Sequence, residues 1–288
     1  MKIIIPSDSK QTQGGAWSFK HNLEKGMTAL GHTVVNNILE ADIALVAGVT
    51  MVTRQTIDLI KEQGVKLITR LDNVPRNSRN RNTGTSRLRE FSQKADEVVW
   101  QCQWSKDYLI DFIGREGRII YNGVDTDIFR PEGDRFDFGD RDLVYLYSRY
   151  NRDENKRYEE VWYEFQLLFR ENKNRRLILV GQFSPEQVEY SFDFFRGEKV
   201  DYLGTVIEPE QMAKIYRSCG HMFAPYFADC FSNTYLEGLV MGIKLRNVNM
   251  SGGTPEMLSL FDKYGRDYFS LERMAKEYEK LFMEVLSK

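Results

Sequence analysis

Short apolar runs and longer stretches of helical period take turns along the chain. In the first half the runs fall at 2–6 (KIIIP), 33–36 (TVVN), 43–48 (IALVAG), 66–70 (KLITR), 97–100 (EVVW) and 118–120 (RII), each of strand length. Helices are expected between them at 15–30, near 52–63 and at 104–113. The first lines up Phe19, Leu23, Met27 and Leu30 on one face. The second half resumes with strands at 143–148, 176–181, 200–204, 221–225 and 243–248 and helices near 156–171, 208–218 and 231–241. This alternation predicts an α/β protein with mainly parallel sheets.

The period lapses at 122–142 (NGVDTDIFRPEGDRFDFGDRD), a stretch rich in Gly and Asp with one Pro, as a connection between domains would be. Two domains are therefore expected, 1–125 and 126–269, with the boundary near 125–140. The tail, 270–288, is an amphipathic helix with Ser270 as its N-cap and Glu272 in its first turn; a return to the first domain is open to it. In open parallel sheets ligands sit beyond the carboxyl ends of the strands, so functional residues are expected on loops after strands.

The chain has 288 residues, comfortable for two domains, and 40 Lys+Arg nearly balance 42 Asp+Glu, so no global field draws it to nucleic acid or anionic lipid. Cys102, Cys219 and Cys230 are odd in number and lack a CxxC spacing, which argues against a disulfide framework or a zinc site and suits a reduced, cytoplasmic setting. No run approaches a signal-peptide core or a membrane span, so neither secretion nor insertion is expected.

Three stretches carry candidate chemistry. Gly14 and Gly15, between the first strand and the first helix, allow either a tight turn or a close backbone approach to a phosphate at the helix N-terminus. Arg149, Arg152, Lys156 and Arg157 follow the strand at 143–148 as either a solvated charge run or a cradle for a diphosphate, with Arg149 and Lys156 as the candidates. In 227–242 (FADCFSNTYLEGLVMG), a helix from 231 would offer amides and the side chains of Ser232, Asn233 and Thr234 to phosphate. Asp229 would sit just outside it and Glu237 nearly two turns inside. The two acids then suit separate hydroxyls of one extended ligand; the bland alternative is a dipole-favouring Asp229 and a solvated Glu237.

Taken together and in order, 121–131 (YNGVDTDIFRP), 148–156 (SRYNRDENK), 178–181 (ILVG), 229–242 (DCFSNTYLEGLVMG) and 251–258 (SGGTPEML) resemble the retaining GT-B glycosyltransferases of family 4. The resemblance covers nearly the whole chain and takes in the Gly-Gly loop, 28–34 (TALGHTV) and 69–109. It implies two Rossmann-like domains facing a central cleft. The second would bind a nucleoside diphosphate sugar, and the acceptor would approach from the first. It assigns Arg149 and Lys156 to the donor diphosphate and Asp229 to the donor sugar. Cys230, Phe231, Ser232 and Asn233 form the loop around sugar and phosphate, Glu237 takes the ribose, and Gly14 and Gly15 approach the diphosphate. Arg149, Lys156, Asp229 and Asp72 are the candidates for catalysis. Asp229 stands where the family usually has glutamate, one methylene longer, which puts the donor sugar in question. No metal or other cofactor is expected, because cationic side chains and helix N-termini would take a metal's part at the diphosphate, and front-face attack assisted by the leaving diphosphate fits the lack of an obvious base.

Many relatives carry a histidine after a first-domain strand; here that place reads RLDN (70–73), which makes Asp72 the candidate near the reacting centre. His21, His32 and His221 are expected to be structural. The segment 70–90 holds six arginines and two acids in 21 residues. It reads either as a crossover loop with ion pairs or as a site for an anionic acceptor, with Arg70, Arg76, Arg79 and Arg81 as contacts. A phosphorylated lipid or glycan, or modified bases in DNA as some phage enzymes use, would fit it. Rival functions are a non-catalytic module binding a nucleotide sugar or an anionic polymer, a GT-B phosphorylase and a nucleotide-sugar epimerase.

Overall fold

A computed structural model describes residues 1–8, 14–74, 81–150, 154–184 and 199–288, apart from the side chains of 81–83, 149 and 150. The chain forms two compact units. The first comprises Met1–Asp125, Asp229–Ser232 and Gly252–Lys288, and the second comprises Thr126–Ala228 and Asn233–Ser251.

In the first unit, strands β1 (Lys2–Ile4), β2 (Thr33–Val34), β3 (Ile43–Val46), β4 (Lys66–Leu71), β5 (Glu97–Trp100) and β6 (Arg118–Ile119) pair in parallel in the order β2-β1-β3-β4-β5-β6. The central strand β3 is buried throughout, as a parallel sheet covered on both faces requires. Helix α1 (Gly15–Ala29) buries Phe19, Leu23 and Met27 as the spacing predicts, whereas Leu30 is its C-cap. Helices α2 (Arg54–Glu62) and α4 (Gln103–Ile113) fall where expected. Helix α3 (Arg81–Lys94) corrects the crossover loop anticipated over 70–90: Leu88 and Phe91 are buried on one side of an otherwise polar helix.

The second unit holds β7 (Val144–Tyr150), α5 (Tyr158–Glu171), β8 (Arg176–Gly181), β9 (Val200–Tyr202), α6 (Pro209–Ser218), β10 (His221–Phe223), α7 (Asn233–Val240) and β11 (Lys244–Arg246). Its strands pair in parallel in the order β11-β10-β7-β8-β9. The segment expected to be a connection is pinned to this unit by Arg217, whose guanidinium donates to the carbonyls of Asp134 at 2.8 Å and Arg130 at 3.2 Å.

The chain closes with α8 (Thr254–Tyr264) and α9 (Leu271–Leu286), both in the first unit. Ser270 caps α9 by accepting from the Arg273 amide at 3.2 Å. The helix buries Met274, Tyr278, Leu281 and Phe282, and the Tyr278 ring meets Phe19 edge-on at 5.6 Å. Gly26 permits α1 to come this close, because a Cβ there would lie 2.7 Å from that of Ala275. Among the described residues no helix is long and apolar enough to cross a membrane.

Candidate functional site

In the second unit the chain leaves β7 towards β8 and β9 on one side, then crosses over to β10 and β11 on the other. The loops after β7 and β10 part at this reversal, where ligands of open parallel sheets bind. The loop after β7 carries Lys156, and Arg149 lies at the end of that strand. The Lys156 ammonium stands 3.7 Å from the centre of the Tyr226 ring, and its carbonyl accepts from the Tyr147 hydroxyl at 2.6 Å. Tyr226 follows β10, stacks on Tyr235 of α7 at 4.7 Å and donates to the Ser148 carbonyl. The two loops are also joined by the Phe227 amide, which donates to the Asn155 carbonyl at 2.8 Å. Lys156 is thus held on an aromatic floor at the carboxyl edge of the sheet; cation and ring attract through the ring quadrupole.

Helix α7 begins at Asn233, two residues later than expected, so Phe231 and Ser232 lie in the loop before it. The cause is backbone bonding. Ala228 takes a left-handed φ of 50°, with its amide on Ser251 Oγ at 2.8 Å, and the next carbonyls are drawn away from a helical ladder. Asp229 O accepts from the Gly253 amide at 2.8 Å, and Cys230 O from Cys102 Sγ at 2.9 Å. Phe231 O accepts from Gln101 Nε2 at 3.1 Å and Asn122 Nδ2 at 3.3 Å. The partners of these three carbonyls belong to the first unit, as does the loop Asp229–Ser232 itself. Burial pushes the Cys102 thiol up to about 11, which keeps it protonated as a donor. Gly253 must be glycine, since a Cβ there would fall 1.6 Å from Cys230 O. The Phe231 ring packs on Tyr121 at 5.3 Å, and Asp229 is half-buried.

Glu237 is buried rather than solvated, at 5% exposure, and accepts from the Tyr216 hydroxyl of α6 at 2.9 Å. Asn233, at the first position of α7, is half-buried.

In the first unit the corresponding reversal lies between β1 and β3. Gly14 and Gly15 open α1 there, Gly14 at φ 109°, and a Cβ on either would meet no described atom within 4 Å. Gly48, after β3, is packed against Ala16 and Asp72: a Cβ on it would lie 2.8 Å from Ala16 Cβ and 2.9 Å from Asp72 Oδ2. Asp72 follows β4, so the glycines and this carboxylate collect at one edge of the sheet.

Arg70 is only 1% exposed, with its guanidinium 3.9 Å from the Phe19 ring and donating to Ala47 O and Asn122 Oδ1, each at 2.9 Å. It is an interior group, which corrects its reading as an acceptor contact. Arg76 and Arg79 lie outside the described residues, and Arg81 opens α3. Of the histidines, His221 is buried against Tyr145 at 4.7 Å and its pKa is lowered by burial and by Arg246 and Lys244. His32 pairs with Glu279 at 2.7 Å, while His21 is exposed on α1 instead of packed.

Sequence reasoning missed Gln101, Cys102, Asn122 and Tyr216. Asn122 lies in the quoted NGVD motif and Gln101 and Cys102 directly after a strand, but their partners are more than 100 residues away.

No protein-family model matches the chain, and no curated protein matches its sequence. Solved structures are similar to it. A sucrose-phosphate synthase from Thermosynechococcus elongatus aligns with a TM-score of 0.76 at 13% identity over 99% of each chain. A glycosyltransferase from Rickettsia africae gives 0.67 at 14%, over 99% of this chain and 98% of that one. The pneumococcal O-GlcNAc transferase GtfA, in complex with UDP and GlcNAc, gives 0.63 at 12%, over 94% and 61%. With two parallel α/β sheets and these likenesses, the chain has the GT-B fold of glycosyltransferases, built from two Rossmann-like units.

Proposed function

We propose that this protein is a glycosyltransferase that moves a sugar from a nucleoside diphosphate sugar to an acceptor hydroxyl, with retention of anomeric configuration and without a bound metal. The observation that carries this reading is the gathering of Lys156 and the loop after β10 at the reversal of the second sheet, with Glu237 buried on the helix that follows. The fold supports it, as does the UDP and GlcNAc held by one structure of that fold.

Lys156, with Arg149, neutralises the diphosphate as negative charge grows on the leaving group, the part a metal plays elsewhere. Glu237 accepts from the ribose hydroxyls, and the Tyr216 hydroxyl keeps its carboxylate turned in one direction. Asp229 holds hydroxyls of the sugar, with Cys230, Phe231, Ser232 and Asn233 around it. In the first unit, Gly14 and Gly15 leave room for the diphosphate and Asp72 serves the reacting centre. The acceptor is a hydroxyl compound; the turn of Arg70 into the interior removes one of the cations that favoured an anionic one.

The test is a thermal-shift screen against UDP-glucose, ADP-glucose and GDP-mannose. A cognate donor at a hundredfold excess over its dissociation constant stabilises by about 2.7 kcal/mol. Lys156→Ala is expected to abolish most of that shift and of the transfer activity, with the melting temperature of the free protein kept. A full shift and wild-type transfer in Lys156→Ala overturn the assignment, and transfer that needs an added metal after chelation overturns the metal-free mechanism.

A further inference from the structure

We infer that Arg70, Asn122 and Gln101 form a buried clamp that fixes the 229–232 loop for donor binding, acting as positioning residues. This rests on the donor reading of that loop. The three come from the carboxyl ends of β4, β5 and β6, which are neighbours in the sheet; Gln101 and Asn122 converge on one carbonyl, Phe231 O, and Arg70 holds the Asn122 amide.

A guanidinium has donors and no acceptor, so Asn122 must present Oδ1 to Arg70. That commitment leaves Nδ2 to donate to Phe231 O, and the buried cation thereby sets the orientation of the amide that bonds the loop. Gln101 completes the arrangement: its Nε2 takes the same carbonyl, while its Oε1, buried, has no partner among the described residues. The described bonding of that amide therefore serves the loop. With Cys102 on Cys230 O and Gly253 on Asp229 O, three successive carbonyls are held by groups of the first unit. Because each peptide is planar and trans, pinning these carbonyls fixes the N–H groups of Cys230, Phe231 and Ser232 in the opposite directions. The same residues then meet donor without ordering the loop at the moment of binding.

Arg70→Ala risks the fold, so two gentler variants carry the test. Asn122→Asp keeps an oxygen for Arg70 but puts a second oxygen against Phe231 O. Gln101→Met removes the donor at similar length, together with the unpartnered acceptor. Hydrogen exchange over 229–232 is measured in the full chain without ligand, beside melting temperature. Affinity is measured for whichever of UDP-glucose, ADP-glucose and GDP-mannose binds the wild type, and for its nucleoside diphosphate alone. In both variants exchange of the loop is expected to rise roughly tenfold, the scale of about one net hydrogen bond. Nucleotide-sugar affinity should fall by about the same factor. The bare nucleotide should keep its affinity within about twofold, and the melting temperature should stay within about 5 °C. Unchanged exchange in both variants overturns the clamp. Equal weakening of nucleotide and nucleotide sugar overturns its positioning role. If no nucleotide sugar binds the wild type, the glycosyltransferase reading fails instead, and exchange alone decides whether the clamp holds the loop.

Discussion

Ala228 holds a backbone conformation that side chains other than glycine's rarely take, at φ 50°, one residue before Asp229. The left-handed region costs an L-residue roughly 1–2 kcal/mol, partly offset here by the hydrogen bond that the Ala228 amide donates to Ser251 Oγ. Ala228→Gly is therefore expected to stabilise the folded protein by up to about 1 kcal/mol, after the extra chain entropy of glycine is deducted. Chemical denaturation measures it, and a loss of stability contradicts the strain. At this scale the sequence displayed what local spacing can carry: Asp229, Glu237 and Lys156 stand beside strands and helices whose periods are plain. It did not display that Glu237 is buried and bonded to Tyr216, or that Arg70 faces inward. An arginine in a run of arginines carries no mark of which way its side chain turns; burial is decided by strands and helices remote in sequence.

The elements were more legible than their ends. Strands buried on both faces read directly as apolar runs, and α1, α2, α4 and α9 follow from the helical period. Helix α3 escaped because its apolar side, carried by Leu88 and Phe91, is thin. The start of α7 moved because carbonyls 229–231 are taken by side chains and an amide of the first unit, a tertiary effect no local propensity contains. The joint between α2, β4 and β5 offers a pH test. Asp96 accepts from the Leu67 amide at 2.7 Å and from Lys61 at 3.1 Å. Burial raises its pKa, but these bonds and the nearby lysines outweigh burial, and the net shift is downward. A carboxyl lowered on folding stabilises above its unfolded pKa, and that contribution fades as pH falls from about 4 through the folded value. Asp96→Asn is expected to cost about 0.5–1 kcal/mol at pH 7, with the gap to wild type closing as the pH falls below about 4. Denaturation curves across that range check it, and a gap that widens in acid refutes it.

For the whole molecule, alternation of the two periods foresaw the α/β class, its lapse at 122–142 foresaw two units, and ordered motifs pointed to the GT-B fold. Which stretches of chain build each unit was beyond the period, since that depends on where α8 and α9 pack. Removal of 271–288 should therefore unfold the first unit rather than trim an end. Met274, Tyr278, Leu281 and Phe282 are fully buried, and at roughly 1.5–3 kcal/mol each their loss rivals the whole stability of a domain. The shortened chain is expected to lose a cooperative melting transition seen in the full one; an unchanged melting profile would argue against this dependence.

The closeness of α1 to α9, made possible by Gly26 against Ala275, also sets an order of events in the cell. Domains usually form on the ribosome from the N-terminal end onward. Here the unit that emerges first cannot finish its core until α9 has left the exit tunnel, whereas every strand of the second unit precedes that helix in the chain. Residues of α1, made before the whole of the second unit, are thus among the last to find their full set of neighbours, and until then the apolar side of α1 is exposed to chaperones.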